Sequence, residues 1–406
     1  MMTNAMSPTR SPYATLWSAA LVANLGDGIG LVILPLLAAT LTRDPMLIAG
    51  VATAQRLPWL FFSLISGVIV DRVDRRRLLQ SANLARAGIY GLLALLLGVD
   101  GLSIPLLWVA ALLLGVAETL VDNAAFALLP ALVARDQLEQ SNGRLYTTQT
   151  VANEFVGPPL GGGLFALMML LPFGVNSLFY TVSAMLVARL QGSFQPLPPK
   201  QRRSILAEIV EGVHWFWGHR LLHLLGIKAA FEHGCWAATN AVLVLLVQDR
   251  LGLDAAGFGA LLSAGALGGV LGGVIAARWI GWLGAGSASM LNLLIQGVAY
   301  LGIALSSNFW VIMVMLALQS FTGSIGGVLG ESFRQAIIPD ALRGRVSSAF
   351  RLYALGAMSI GAALGGLLAR ASGLLAPYWV SAAIMFILAI VLLPFVNNRS
   401  MAEARK

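Results

Sequence analysis

Charge is scarce in this chain, sulfur chemistry scarcer, and each shortage excludes something. Only 11% of the 406 residues are charged, and 18 of them are Asp or Glu. Soluble domains carry about 25% charged residues, so the chain lacks the means to coat a core of this size with a solvated shell. One cysteine, Cys235, rules out an internal disulfide framework and any multi-cysteine metal site. No Gly-x-x-x-x-Gly-Lys-Ser/Thr loop occurs to grip a nucleotide. Zinc-type His/Glu spacing and a Gly-x-Ser-x-Gly elbow are absent too, so a hydrolase or metalloenzyme has no nucleophile and base to rest on. We expect no enzyme, no cofactor and no bound metal.

What the chain does have is apolar bulk: 58% hydrophobic residues and a mean hydropathy of +0.81. A soluble core holds roughly 45–50% apolar residues, so lipid must solvate most of this surface. The net charge of +8 does not point to nucleic acid, because basic residues are scattered between apolar runs with acids interleaved. The first dozen residues carry only Arg10, and the following apolar run is too long and too lacking in a cleavage site for a removed leader. It is expected to remain as the first span.

A ~30 Å hydrocarbon layer needs ~20 apolar residues at 1.5 Å per residue. Twelve such runs occur, near 14–39, 47–70, 78–98, 104–128, 146–169, 172–190, 222–247, 256–277, 285–306, 309–330, 346–369 and 374–396. Lys and Arg collect in loops that stay cytoplasmic. With the amino terminus inside, inner loops gather Arg72, Arg75, Arg76, Arg77, Arg135, Lys200, Arg202, Arg203, Arg220, Arg278, Arg343 and Arg345, leaving Arg43, Arg250 and Arg370 outside. Both termini are expected in the cytoplasm, the chain in a bacterial inner membrane.

The twelve runs form two matching sets. Gly67-Val-Ile-Val-Asp-Arg72 returns as Gly273-Val-Ile-Ala-Ala-Arg278, and Pro130, Arg144-Leu-Tyr146 and Gly157-Pro-Pro-Leu-Gly-Gly162 return as Pro339, Arg351-Leu-Tyr353 and Gly361-Ala-Ala-Leu-Gly-Gly366. The fold expected is all-α, twelve transmembrane helices in two parallel six-helix halves, with a substrate site between the halves near the midplane. We place one half at residues 1–190 and the other at 221–406. Residues 191–220 read as a linker, proline-rich at Pro196–Pro199 and then amphipathic through Ile205, Ile209, Val213 and Phe216.

The stretch from Gly67 to Arg77 closes one run and opens the next, with four arginines and two aspartates packed into Asp71–Arg77. Gly67, Asp71, Arg72, Arg75 and Arg76 resemble the signature of the major facilitator superfamily between its second and third helices. Gly157, Pro158, Gly161 and Gly162 resemble the glycine-proline motif of its drug:proton antiporters, and the chain as a whole resembles the branch of enterobactin exporters and macrolide efflux pumps. Asp74 departs from the signature, standing where many members carry glycine, so a differently shaped turn is expected. The resemblance implies an outward-directed exporter, and implies that Asp71 meets the start of the eleventh helix near Arg345 in a cytoplasmic gate. Independently of it, Gly157 and Gly161 lie one turn apart and allow close helix contact, and Gly265, Gly269 and Gly273 in the eighth run offer a matching stripe.

Ionisable groups within a span cost about 2.5–3.5 kcal/mol each on insertion scales and call for a partner, water or a function. The candidates are Asp27, Arg56, Arg86, Glu118, Asp122 and Glu154 in the first half, with Lys228, Glu232 and His233 in the second. Asp27 sits in Asn24-Leu-Gly-Asp-Gly-Ile-Gly30, where glycines thin the helix and admit water. It is the first choice for proton coupling, against a static ion pair with Arg56 or Arg86. Glu118 and Asp122 share a helical face, and Lys228 with Glu232 has the spacing of a local ion pair. These charges would line a cavity for substrate and protons.

Three classes of function remain. The first is secondary export of an amphiphilic small molecule, such as a siderophore, macrolide or other drug-like compound, in exchange for protons. The second is another transport mode, a lysophospholipid flippase or an importer. The third is a non-transporting receptor. Membrane lipids surround the chain in each, nucleic acid is not a partner, and a monomer is expected.

Overall fold

The structure is a computed structural model that describes residues 12–70, 72–134, 137–192, 194–195, 214–339 and 343–404. Among these residues there is no strand. Helices α1 (Pro12–Leu41), α2 (Pro45–Val70), α3 (Arg75–Gly98) and α4 (Ile104–Leu128) follow the first four apolar runs. The fifth run starts earlier than expected, as α5 (Leu138–Thr150), and passes through a π turn at Val151–Val156 into α6 (Gly157–Leu167). Helix α7 (Leu171–Ala188) has its proline in the first turn, where the missing N–H has no helical partner to lose.

The second set comprises α8 (Arg220–Leu245), extended by a π turn at Leu246–Arg250, then α9 (Ala255–Leu283), α10 (Ala285–Leu305), α11 (Phe309–Ile337), α12 (Arg343–Ser372) and α13 (Ala376–Leu392). A short α14 (Asn398–Glu403) follows, capped reciprocally by Asn397 and Ser400. Among the described residues eight helices are long and apolar enough to cross a membrane. Large apolar side chains such as Leu95, Val109, Val274 and Ile390 are exposed, as lipid-facing positions must be when no apolar partner covers them. The amphipathic segment expected at 205–213 lies outside the described residues.

Two compact units emerge. One comprises Met1–Thr42, Ala54–Pro198 and Asp254–Gly259; the other comprises Arg43–Thr53, Pro199–Leu253 and Ala260–Lys406. In the first, α1 packs on α7, α6 and the first π turn, and α3 packs on α7 and α4. In the second, α8 packs on α12, and α10 on α13 and α11. The basic residues left outside the inner loops are held within this second unit. Arg43 pairs with Asp249 at 3.2 Å and Arg370 with Asp44 at 3.5 Å, while Arg250 donates to the Ala304 carbonyl at 3.0 Å.

Glycine sets the helix approaches, and it does so alike in both units. A Cβ on Gly157 would stand 2.5 Å from the Gly28 Cα, and one on Gly161 would stand 3.0 Å from the Ile29 carbonyl oxygen. In the second unit Gly361 and Gly365 meet the backbones of Gly234 and Ala238 in the same way. From Gly28 to Gly234 is 206 positions and from Gly157 to Gly361 is 204, so the sequence repeat is a repeat of contacts. The stripe in α9 departs from expectation. Gly268 and Gly272 pack against the backbone of Ala317 and Phe321 in α11, Gly265 and Gly269 approach Ser320 and Ser324 of that helix, and Gly273 has nothing within 4 Å. Helix α11, two helices further along the chain, takes up that stripe, while Gly162 and the backbone of Pro158 and Pro159 approach the start of α9 around Ala255 and Gly259.

Candidate functional site

The first unit concentrates its buried charge around α1. Asp27 forms an ion pair with Arg86 of α3 and accepts a hydrogen bond from the Tyr180 hydroxyl of α7 at 2.9 Å. The Arg86 guanidinium lies over the Tyr180 ring, 4.2 Å from its centroid, and Tyr90 stacks on Tyr180 from the other helix. Arg86 is only 2% exposed. The glycines around Asp27 therefore do not admit water as expected. Gly26 accommodates the Tyr180 ring, Gly30 the Tyr90 hydroxyl and Gly28 the backbone of Ala152 and Asn153. Asn176 donates to the Gly26 carbonyl at 3.0 Å and fixes the register. Tyr90, Asn176 and Tyr180 escaped the sequence reading; the spacing of Gly26 and Gly30 signals that bulk must land there, without saying whose.

A second group lies on α2, α4 and the π turn. Arg56 interacts electrostatically with both Glu118 and Glu154, and Glu118 also with Arg86. Glu118 is half-buried, whereas Glu154 is exposed. The π turn inserts an extra residue per turn, which is how a carboxylate on an otherwise packed helix is presented away from the Gly28 contact. The structure thus links Asp27, Arg86, Glu118, Arg56 and Glu154 through successive charges. Asp122 accepts a hydrogen bond from Gln149 at 2.9 Å.

In the second unit Lys228, 5% exposed, donates to Glu232 at 2.7 Å, one turn away. Gln296 also reaches Glu232, at 3.5 Å. His233 bonds the Ala229 carbonyl of its own helix at 2.7 Å. No group of three or more His, Cys, Asp or Glu able to hold a metal occurs among the described residues.

The arginine-rich stretch acts as a three-way helix clamp. Asp74, in extended conformation at φ −61° and ψ 116°, caps α3 by accepting from the Arg77 N–H at 3.0 Å, and its other oxygen accepts from the Phe194 N–H at 3.1 Å. That φ makes glycine unnecessary at this point. Partial burial opposes its charge, but these backbone donors, that of Arg76 and the Arg77 cation outweigh it, holding the carboxyl below its ordinary range. Arg75 donates to the Ala127 carbonyl at the end of α4 at 2.8 Å, and Arg76 to the Ala188 carbonyl at the end of α7 at 2.6 Å. Cations on terminal carbonyls complement the helix dipoles. Arg72 is exposed. Asp71 and the side chain of Arg345 lie outside the described residues, as do the surroundings of Gly67.

Residues 3–405 match the family of transmembrane secretion effectors within the major facilitator superfamily. The chain belongs to that family. It is a transporter, not an enzyme. The multidrug efflux pump Tap of Mycolicibacterium fortuitum is 30% identical over 412 residues, covering 98% of both chains. Tap of Mycobacterium tuberculosis is 28% identical over 91% of this chain and 90% of the pump. Among solved structures, the nucleoside transporter NupG superposes with a TM-score of 0.74 at 11% identity over 94% of this chain and 98% of its own. A bacterial homologue of the iron transporter ferroportin gives 0.72 at 21% identity over 97% of this chain and 100% of its own. These likenesses establish the major facilitator fold of the transporter.

Proposed function

We propose that the transporter exports amphiphilic, drug-like small molecules from the cytoplasm by alternating access, taking protons in exchange. The observation that carries this reading is the charge count of the linked network. Among the described residues, Asp27, Glu118 and Glu154 supply three carboxylates against the two guanidiniums of Arg56 and Arg86. One proton, or one cationic substrate, brings the network to neutrality, so the two compete for the same charge. Asp27 is committed to Arg86 and Tyr180, which leaves exposed Glu154, in electrostatic contact with Arg56, to exchange with solution. The full-length similarity to pumps named for multidrug efflux supports the outward direction.

The reading extends to organisation: a half at 1–190, a linker at 191–220 and a half at 221–406, with both termini cytoplasmic and the monomer as the working unit. The test is purified transporter in liposomes with an imposed pH gradient. We expect gradient-driven movement of a fluorescent amphiphilic cation, abolished by a protonophore and by Glu154→Gln. Movement that ignores collapse of the gradient would overturn proton exchange, and movement only of labelled lysolipid would make the protein a flippase.

A further inference from the structure

The twofold repeat supplies an internal control for how Glu154 is placed. Gly157-Pro-Pro-Leu-Gly-Gly162 returns 204 positions on as Gly361-Ala-Ala-Leu-Gly-Gly366. The backbones leading into the two motifs differ. Val151–Val156 forms the π turn, whereas residues 355–360 run as plain α-helix within α12. Inside the motif the two copies differ only in carrying Pro158 and Pro159 against Ala362 and Ala363.

Proline accounts for the difference. Pro158 and Pro159 have no N–H to give to the Glu154 and Phe155 carbonyls four residues back, and in an α-helix their rings would collide with those oxygens. Admitting one more residue to the turn widens the helix and relieves both collisions. The hydrogen bonds follow this pattern, since Gly157 donates five residues back, to the Ala152 carbonyl. Alanine at 362 and 363 makes no such demand, and α12 keeps its α-helical register.

The consequence falls on one carboxylate. Contacts anchor the alignment of the halves, because Gly28 faces the Asn153 carbonyl and Gly234 the corresponding Ala357 carbonyl. Ala152 and Gly356 are both buried, Asn153 and Ala357 both partly buried, and Val156 and Ile360 both exposed. Glu154 breaks the correspondence: it is exposed, whereas Met358 in the same place is 8% exposed. Phe155 departs in the same sense, partly buried where Ser359 is buried. One residue of register turns a side chain by about 100°, enough to carry it from a packed face to an open one.

We propose that Pro158 and Pro159 are positioning residues for Glu154: they impose the π turn, and the π turn holds the carboxylate exposed. Their part in transport rests on the proton exchange assigned to Glu154; their effect on its exposure does not.

The experiment uses the full-length transporter. Pro158→Ala with Pro159→Ala copies the motif of the second half and inserts good helix formers, so the double variant should melt at or above the parent temperature in detergent. A cysteine reads the placement. Cys235, the one native cysteine, is buried, so Glu154→Cys offers a single accessible thiol to a charged methanethiosulfonate. Its labelling rate should fall by about tenfold or more in the double-alanine background, as thiols become inert when buried. Arg399→Cys, at a side chain 89% exposed, should label equally in both backgrounds. With Glu154 retained, the double-alanine transporter in liposomes should lose the pH dependence of cation movement, as Glu154→Gln does. Each single Pro→Ala variant should lie between parent and double variant, which keeps the test decisive should the double variant fail to fold. Equal labelling at position 154 in the parent and alanine backgrounds would overturn the proposal. A fall in labelling, alongside Glu154→Gln protein that still follows the pH gradient, would uphold the placement by the prolines and remove proton exchange from Glu154 instead.

Discussion

A side chain on Gly157 would have to occupy space held by the Gly28 Cα, 2.5 Å from where its Cβ would stand. Helix α1 and the start of α6 therefore touch backbone to backbone, as α1 and the π turn do where Gly28 meets Ala152 and Asn153. Gly157→Val should force the two apart and lower stability by ~1–3 kcal/mol, the usual cost of overpacking. Gly163→Ala, six residues further on, where nothing lies within 4 Å, should melt like the parent protein in the same detergent.

Asp27 and Glu154 should behave differently when neutralised. Asp27→Asn breaks the ion pair of buried Arg86, and removing one partner of a buried pair typically costs about 3–5 kcal/mol, so the expected loss is in thermal stability and protein yield. Glu154 is exposed, and Glu154→Gln should melt normally while losing transport in a pH gradient. Intact folding of Asp27→Asn, with coupling lost, would return Asp27 to the exchanging role.

The clamp at the start of α3 gives a third expectation. Arg76 holds the last carbonyl of α7 and Arg75 a carbonyl in the last turn of α4. Arg76→Ala should cost about 0.3–1 kcal/mol, the range for a charge at a helix end, with the deficit shrinking as salt is added. A melting series against salt concentration measures it.

Asp74 supplies a pH dependence whose sign is fixed by its hydrogen bonds. Its carboxyl is held below the ordinary value, so it stabilises the fold above the unfolded value of about 3.9 and ceases to do so as pH falls through the lower, folded one. Melting temperature should therefore drop on acidification in that window. Asp74→Asn, an equally good cap, should remove this component of the drop, and Asp74→Ala should lose ~1 kcal/mol at neutral pH.

Much of this was legible in the residues. Composition fixes the solvent as lipid, run length fixes the helices, and the recurrence of Gly67–Arg72 and Gly157–Gly162 gives the twofold plan, because each is a local property of the chain. The ion pair of Lys228 with Glu232 is local too, one helical turn, and stands as the spacing implies. The start of the fifth helix was not legible. Polar residues from Leu138 onward carry no apolar period, and packing against α1 holds them helical.

The sequence by itself determined which residues are ionisable within the spans and that their charges require partners. Only the tertiary structure decided who the partners are. Arg86 stands 59 positions from Asp27 and Tyr180 stands 153 away, distances over which one-dimensional spacing holds no information, since helices far apart in the chain meet through packing. The glycines around Asp27 show the same division. The chain announces a thinned helix, and the fold determines whether water or a tyrosine ring fills the space.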